Sequence, residues 1–334
     1  MDALQKKSII TARGFTYTYY VSDPAQASKD APTLFLIHGF PDDAQLWDGI
    51  VSRLPQYRVI APDTLGYAGT SKPTDPAAYE FGAMAKDLAE ILDAEGVDKA
   101  VTAGHDWGSA VAQRFYVHQP ERVSALVLLN VAYSGPATEP FDLEATNAFL
   151  EKTFGRPLLA YQELLLSKEG PEIMRKHVGR LYDGMHGAPR DFFGELLGVR
   201  GNFKKWLLNE NNDWDVEVRD YAKDPELKRL YVERLQRDGF EAPICYYRGN
   251  KEHIQHAVEK DMPRERFVVK VPMLYFICSQ DAVCRPEAMI PAKLGGLVPD
   301  LEEVTIDCSH WSPLEAPGPI SSALDDFVKR KVIS

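Results

Sequence analysis

No stretch of the 334-residue chain reaches the roughly 18 uninterrupted apolar residues that a membrane-spanning helix needs. The opening MDALQKKSIITARG lacks the apolar region of a secretory leader and the closing KVIS carries no obvious address, so a cytoplasmic protein is expected. Cysteine is scarce. The four present, Cys245, Cys278, Cys284 and Cys308, form no CxxC pair and show no Cys/His spacing for zinc. They are expected to be reduced, with Cys278 and Cys308 packed in or beside core strands. Positive charge is also short: 38 Lys and Arg face 49 Asp and Glu, a net charge of -11. Such a balance argues against nucleic acid and anionic membrane as partners, and disfavours strongly anionic substrates. There is no internal repeat and no low-complexity tract. What remains is a chain long enough for a large α/β domain with an insertion. No pattern calls for a metal or organic cofactor, and the partner expected is a small molecule. A homodimer stays open.

Apolar patterning supplies the frame. KSIITARGFTYTYYVSD alternates about Arg13-Gly14 and predicts a hairpin. TLFLIHG (33–39), YRVIAPD (57–63), KAVTAG (99–104), RVSALVLLN (122–130), VPMLYFICS (271–279) and LEEVTID (301–307) read as strands, most of them short apolar runs buried on both faces. Between them, 78–96 has helical spacing that stops at Gly96, a second helix runs through Tyr116, and ISSALDDFVKRKV forms a closing helix. Alternating strands and helices imply a mostly parallel sheet. From about 136 to 265 the strand runs vanish. The expected organisation is therefore a core of residues 1–135 and 266–334, interrupted by a mainly helical lid at 136–265.

One segment carries the chemistry. KAVTAGHDWGSAVAQRF takes a strand directly into Gly104-His105-Asp106-Trp107-Gly108 and then a helix. This is the spacing of the G-x-S-x-G turn, with Asp106 in the serine position. The helix N-terminus favours a negative group there. Taken alone, Asp106 could be only a helix N-cap; the full strand–turn–helix context favours a nucleophile. A carboxylate attacks electrophilic carbon and forms an ester through its own oxygen, which suits epoxides and alkyl halides and disfavours ordinary esters and amides. Hydrolysing that ester needs a base and an oxyanion hole.

The base is expected on a late loop, where DCSHWSPLEAP places His310. Its orienting carboxylate is expected to be Asp281 in FICSQDAVCRP, with Asp307 and Glu315 as weaker rivals. The oxyanion hole is assigned to the backbone N–H groups of Phe40, in HGFPDD, and Trp107. The Phe40-Pro41 bond is a candidate for the cis form. His38 reads as a hydrogen-bonding scaffold. Epoxide opening also needs an acid, for which tyrosine is suited.

Together, HGFPDDAQLWD, APDTLGYAGTSKP, GHDWGSAVAQRF, QDAVCRP and DCSHWSPLEAP resemble the soluble epoxide hydrolase family. The resemblance implies an α/β-hydrolase fold with an eight-stranded sheet, and two lid tyrosines that hold the epoxide oxygen. LLAYQELLLSKEGPE yields Tyr161 and ICYYRGN yields Tyr247, with Cys245 and Tyr246 departing from the family pattern. Phe40, Pro41, Trp107, Tyr246 and Trp311 are expected to wall an apolar pocket. Haloalkane and fluoroacetate dehalogenases share much of the pattern. They differ in that they typically carry Asn in the HGxP loop, or Arg after the nucleophile, where this chain has Phe40 and Trp107. A cyclase using the substrate's own hydroxyl, and a receptor without turnover, are the remaining alternatives.

Overall fold

Runs such as TLFLI and AVTAGH have no polar face to offer water, and the structure buries every residue of both. The computed structural model describes residues 1, 4–25, 27, 28, 30–188, 192–210, 214 and 216–333. One eight-stranded sheet contains β1 (Gln5–Ile10), β2 (Thr16–Val21), β3 (Thr33–Ile37), β4 (Arg58–Pro62), β5 (Ala100–His105), β6 (Val123–Leu129), β7 (Met273–Cys278) and β8 (Leu301–Ile306). Their lateral order is β1-β2-β4-β3-β5-β6-β7-β8. The expected hairpin pairs antiparallel, β2 joins β4 antiparallel, and every other pair is parallel. After β3 the chain places β4 on one side and β5 on the other. The loops after β3 and β5 therefore open a crevice at the carboxyl edge, where open α/β sheets bind ligands.

Register brings the site loops together. Ile37 lies opposite Gly104, His105 opposite Leu129, Leu129 opposite Phe276, and Cys278 opposite Ile306. The residues that follow these ends are Phe40, Asp106, Asn130, Asp281 and His310, so five loops leave one edge of the sheet.

The helix expected over 78–96 is divided. Residues 76–79 form a 3₁₀ turn, and α1 (Phe81–Ala94) starts after Glu80, whose carboxylate accepts the Gly82 and Ala83 amides. This side-chain cap is what restarts the helix. Gly96, with φ +63°, ends it as expected. Helix α2 (Trp107–His118) packs on α1 and on β5.

Between β6 and β7 the described residues form helices and one isolated bridge, Gly187 with Val218, but no strand. Among these helices are α3 (Leu143–Phe154), α4 (Pro225–Asp238) and α5 (Cys245–Lys251). The segment is tied to the sheet domain by polar contacts. Arg234 on α4 pairs with Asp43 at 2.9 Å and donates to the Pro41 and Asp42 carbonyls. Arg114 on α2 forms a buried two-pronged ion pair with Glu259, at 2.6 and 2.9 Å. The last helix, α6 (Pro317–Val328), begins three residues before the expected segment, because Pro317 is well suited to a first helical turn. All four cysteines are free, and Cys278 and Cys308 are buried. Among the described residues no helix is long and apolar enough to cross a membrane.

Candidate active site

The turn at Asp106 is tight for reasons the flanking residues make plain. Asp106 adopts φ 54° and ψ -126°, a conformation a non-glycine residue holds only when its surroundings enforce it. A Cβ on Gly104 would strike the Gly108 backbone, and one on Gly108 would strike the Ile37 carbonyl. A Cβ on Gly39 would stand 2.5 Å from Asp106 Oδ1. These three glycines let β5, α2 and the loop after β3 converge on one carboxylate.

That carboxylate is held at both oxygens. The Phe40 amide donates to Oδ1 at 2.7 Å, and His310 Nε2 lies 3.5 Å from Oδ2. The Trp107 amide is the first N–H of α2, where backbone donors have no partner within the helix. The Phe40-Pro41 peptide is cis.

His310 Nδ1 lies 2.7 Å from Asp281 Oδ2. Burial alone would push the Asp281 carboxyl up. The His310 charge and hydrogen bond, the Cys284 amide and the Asn130 side chain overcome this and hold it well below the usual range. Its two oxygens are fully engaged: Asn130 donates to Oδ2 at 2.8 Å, and the Val283 and Cys284 amides donate to Oδ1 at 2.9 Å each. For His310 burial works against charge, yet the Asp281 carboxylate, with help from the Cys284 thiol and Asp106, raises the imidazole well above its ordinary value. The rivals are occupied elsewhere. Asp307 accepts from Ser279 and Gln280, while Glu315 binds Arg219 and Ser309.

Three neighbours were not singled out from the sequence. His105 is pushed down to about 4, chiefly by burial, so its Nε2–H donates to the His310 carbonyl at 2.8 Å. Asn130, at φ 66°, accepts from Ser312 while donating to Asp281. Asp42 accepts from the Trp311 indole at 3.0 Å, and burial raises its carboxyl to about 7. A φ above zero at the end of a core strand is the feature that favours Asn there, but the sequence alone does not label one of its seven Asn residues so. His38 is the scaffold expected: it accepts the Thr64 amide at Nε2, contacts the Gly39 carbonyl through Nδ1, and is lowered to about 4 by burial.

Tyr161 and Tyr247 stand together, ring centroids 6.1 Å apart at 90°. Tyr247 also packs edge-on against Phe40 at 5.4 Å and Trp107 at 5.0 Å. Burial, reinforced by nearby Asp106, raises both hydroxyls above the usual phenol range, so both carry protons at neutral pH. Tyr246 corrects an expectation. Its hydroxyl donates to the Leu65 carbonyl at 3.0 Å, its ring lies among Tyr67, Tyr79 and Trp107, and it lines neither chamber at Asp106. Adjacent helical residues diverge by about 100°, so only one of the pair can face the carboxylate.

Asp106 stands between two chambers. The inner one, about 40 Å³, is lined by Phe40, Pro41, Tyr161, Tyr247, His310 and Trp311, with Met185, Phe193 and Leu197 behind them. The outer one, about 630 Å³, is mainly apolar and runs past Trp107, Leu150, Phe149 and Ile290. Among the described residues one close group could ligate a metal: Asp281, Cys284 and His310, within 4.8 Å of one another. Its fit is poor, because Nδ1 of His310 is taken by Asp281 and the Cys284 thiol is pushed up to about 12, mostly by burial.

The sheet, the elbow and the carboxylate–histidine–carboxylate row are those of an α/β hydrolase. The family model described as alpha/beta hydrolase fold matches residues 32–317, and the chain belongs to that family. Two of its curated relatives are named for epoxides. It is 28% identical over 320 residues to "Epoxide hydrolase A" of Mycobacterium tuberculosis, covering 89% of this chain and 90% of the relative. It is 25% identical over 305 residues to "Bifunctional epoxide hydrolase 2" of Rattus norvegicus, where it covers 52% of the relative, so the chain spans about half the length of that protein. Among solved structures it superposes on epoxide hydrolase A from Mycobacterium thermoresistibile with a TM-score of 0.77 at 23% identity, covering 99% of this chain and 100% of that one.

Proposed function

We propose that this chain hydrolyses an epoxide to a vicinal diol through an ester on Asp106, with residues 136–265 as a lid over the sheet core of 1–135 and 266–334. One observation carries the reading. A carboxylate sits in the elbow with one oxygen on a backbone amide and the other facing a histidine, in a chamber shared with two protonated tyrosines. Halide departs without a proton, so the paired phenols favour an oxygen leaving group over an alkyl halide.

Oδ2 attacks an epoxide carbon and the carbon–oxygen bond of the ring breaks. The departing oxygen takes a hydrogen bond, then a proton, from Tyr161 or Tyr247. Oδ1, already on the Phe40 amide, becomes the ester carbonyl oxygen. His310, oriented by Asp281, then deprotonates water, which adds to the Asp106 carboxyl carbon. Negative charge develops on Oδ1, where the Phe40 and Trp107 amides stabilise it. The acyl carbon–oxygen bond breaks as His310 passes its proton to the departing oxygen, the diol leaves with the former Oδ2, and water oxygen remains in Asp106, whose carboxyl proton restores the tyrosine.

The bookkeeping of oxygen is the test. A single turnover in oxygen-18 water should label Asp106 and leave the diol unlabelled. Label in the first-turnover diol would overturn the ester route. Asp106→Ala should abolish diol formation, and His310→Gln should accumulate an adduct of enzyme plus substrate, seen by intact mass.

A further inference from the structure

The two chambers at Asp106 are unequal, and their inequality bears on which epoxides fit. The inner chamber holds Tyr247 and His310, which line it and not the outer one. Under the mechanism above, the oxirane oxygen and the hydrolytic water must both occupy that side. At about 40 Å³ the space is a small fraction of the outer chamber. Met185, Phe193, Leu197 and Trp311 close it, and each is buried. A long second arm on the epoxide would meet these side chains. The outer chamber, about 630 Å³, lies within the range of ordinary small-molecule sites. It continues to the surface past side chains that are apolar yet exposed, Phe149 at 64% and Ile290 at 49%. Apolar side chains left in water at a pocket mouth suit an apolar ligand that extends to them.

We infer that the enzyme is built for epoxides with a single long apolar arm, that is, terminal epoxides. The arm lies in the outer chamber toward Phe149 and Ile290, and the unsubstituted carbon points inward. A trans-disubstituted epoxide, whose arms leave opposite faces of the ring, must drive one arm into Met185 and Leu197. This rests on the epoxide reading and adds the substrate class.

Two isomers of one formula separate the ideas: 1,2-epoxyoctane and trans-4,5-epoxyoctane, each assayed for diol by the intact enzyme. The terminal isomer should show kcat/KM higher by roughly a hundredfold, the upper range for misfitting a few methylenes in an apolar pocket. Met185→Ala and, separately, Leu197→Ala should narrow that ratio by about tenfold by enlarging the inner chamber; the two helices involved differ, so one variant serves if the other fails to fold. Equal turnover of the isomers by the wild type would overturn the inference and leave epoxide hydrolysis standing. No turnover of either isomer, with none for styrene oxide, would overturn the epoxide reading itself.

Discussion

Tyr246 and Tyr247 are neighbours in the chain with opposite surroundings, and each predicts a different loss. Tyr247→Phe removes one of two donors to the leaving oxygen; kcat should fall about a hundredfold, the lower end of the range for general acid catalysis because Tyr161 remains. Tyr246→Phe removes a buried hydrogen bond to Leu65, costing about 0.5–1.5 kcal/mol of stability with the chemistry largely retained. Paired kinetics and thermal melts distinguish the two. If the losses were interchanged, helix α5 would face the other way. Asn130 is a positioning residue: Asn130→Ala removes one of the two side-chain donors to Asp281 Oδ2 and should slow ester hydrolysis more than ester formation, so that adduct accumulates during turnover. The meeting of Asp106, His310 and Asp281 at one sheet edge was legible because each follows a recognisable core strand. Tyr246 was misplaced for the opposite reason. Which face of α5 turns to Asp106 depends on packing against Leu65, Tyr67 and Tyr79, nearly two hundred residues away in the chain.

Among the elements, the elbow shows how a fold can be fixed by absence of side chains. Gly108→Ala would press a Cβ into the Ile37 and His38 carbonyls, which are backbone and cannot swing aside. The cost should reach or exceed the upper end of the roughly 1–3 kcal/mol typical of overpacking, measured by denaturant unfolding. Arg114 and Glu259 tie α2 to the segment that returns to β7, and Glu259 also accepts the Ala137 amide where the chain departs. Glu259→Ala strands a buried guanidinium and should cost about 3–5 kcal/mol, whereas a surface pair such as Arg229–Glu226 is screened by water and should contribute little. The strands of this core follow from apolar runs and turn residues, which act locally. The tie through Glu259 does not, since it joins residues 145 positions apart.

For the molecule as a whole, buried ionisable groups set the response to acid. His38 and His105 are lowered to about 4 and His186 to about 3, all chiefly by burial, so between pH 6.5 and 4 the unfolded chain binds up to three more protons at these sites. Asp42 and Asp63, raised to about 7 mainly by burial, bind protons in the folded state first and oppose this with two. Asp87, raised, and His118, lowered, add one of each kind. The lowered Asp281 adds to the unfolded chain's proton uptake at the acid end, so stability should fall on acidification across this window. Asp42→Asn removes one opposing group and should steepen that fall. Denaturant titrations at pH 4.5, 5.5 and 6.5 read it directly.

The 3.5 Å approach of His310 to Asp106 also gives the reaction an internal clock. While Asp106 is an anion, it helps keep a proton on His310, and an imidazole that holds its proton cannot take one from water. In the proposed reaction, alkylation would turn Asp106 into a neutral ester and withdraw that support, while Asp281 keeps its hold on the ring. The first step would thereby shift His310 toward the base form that the second step needs.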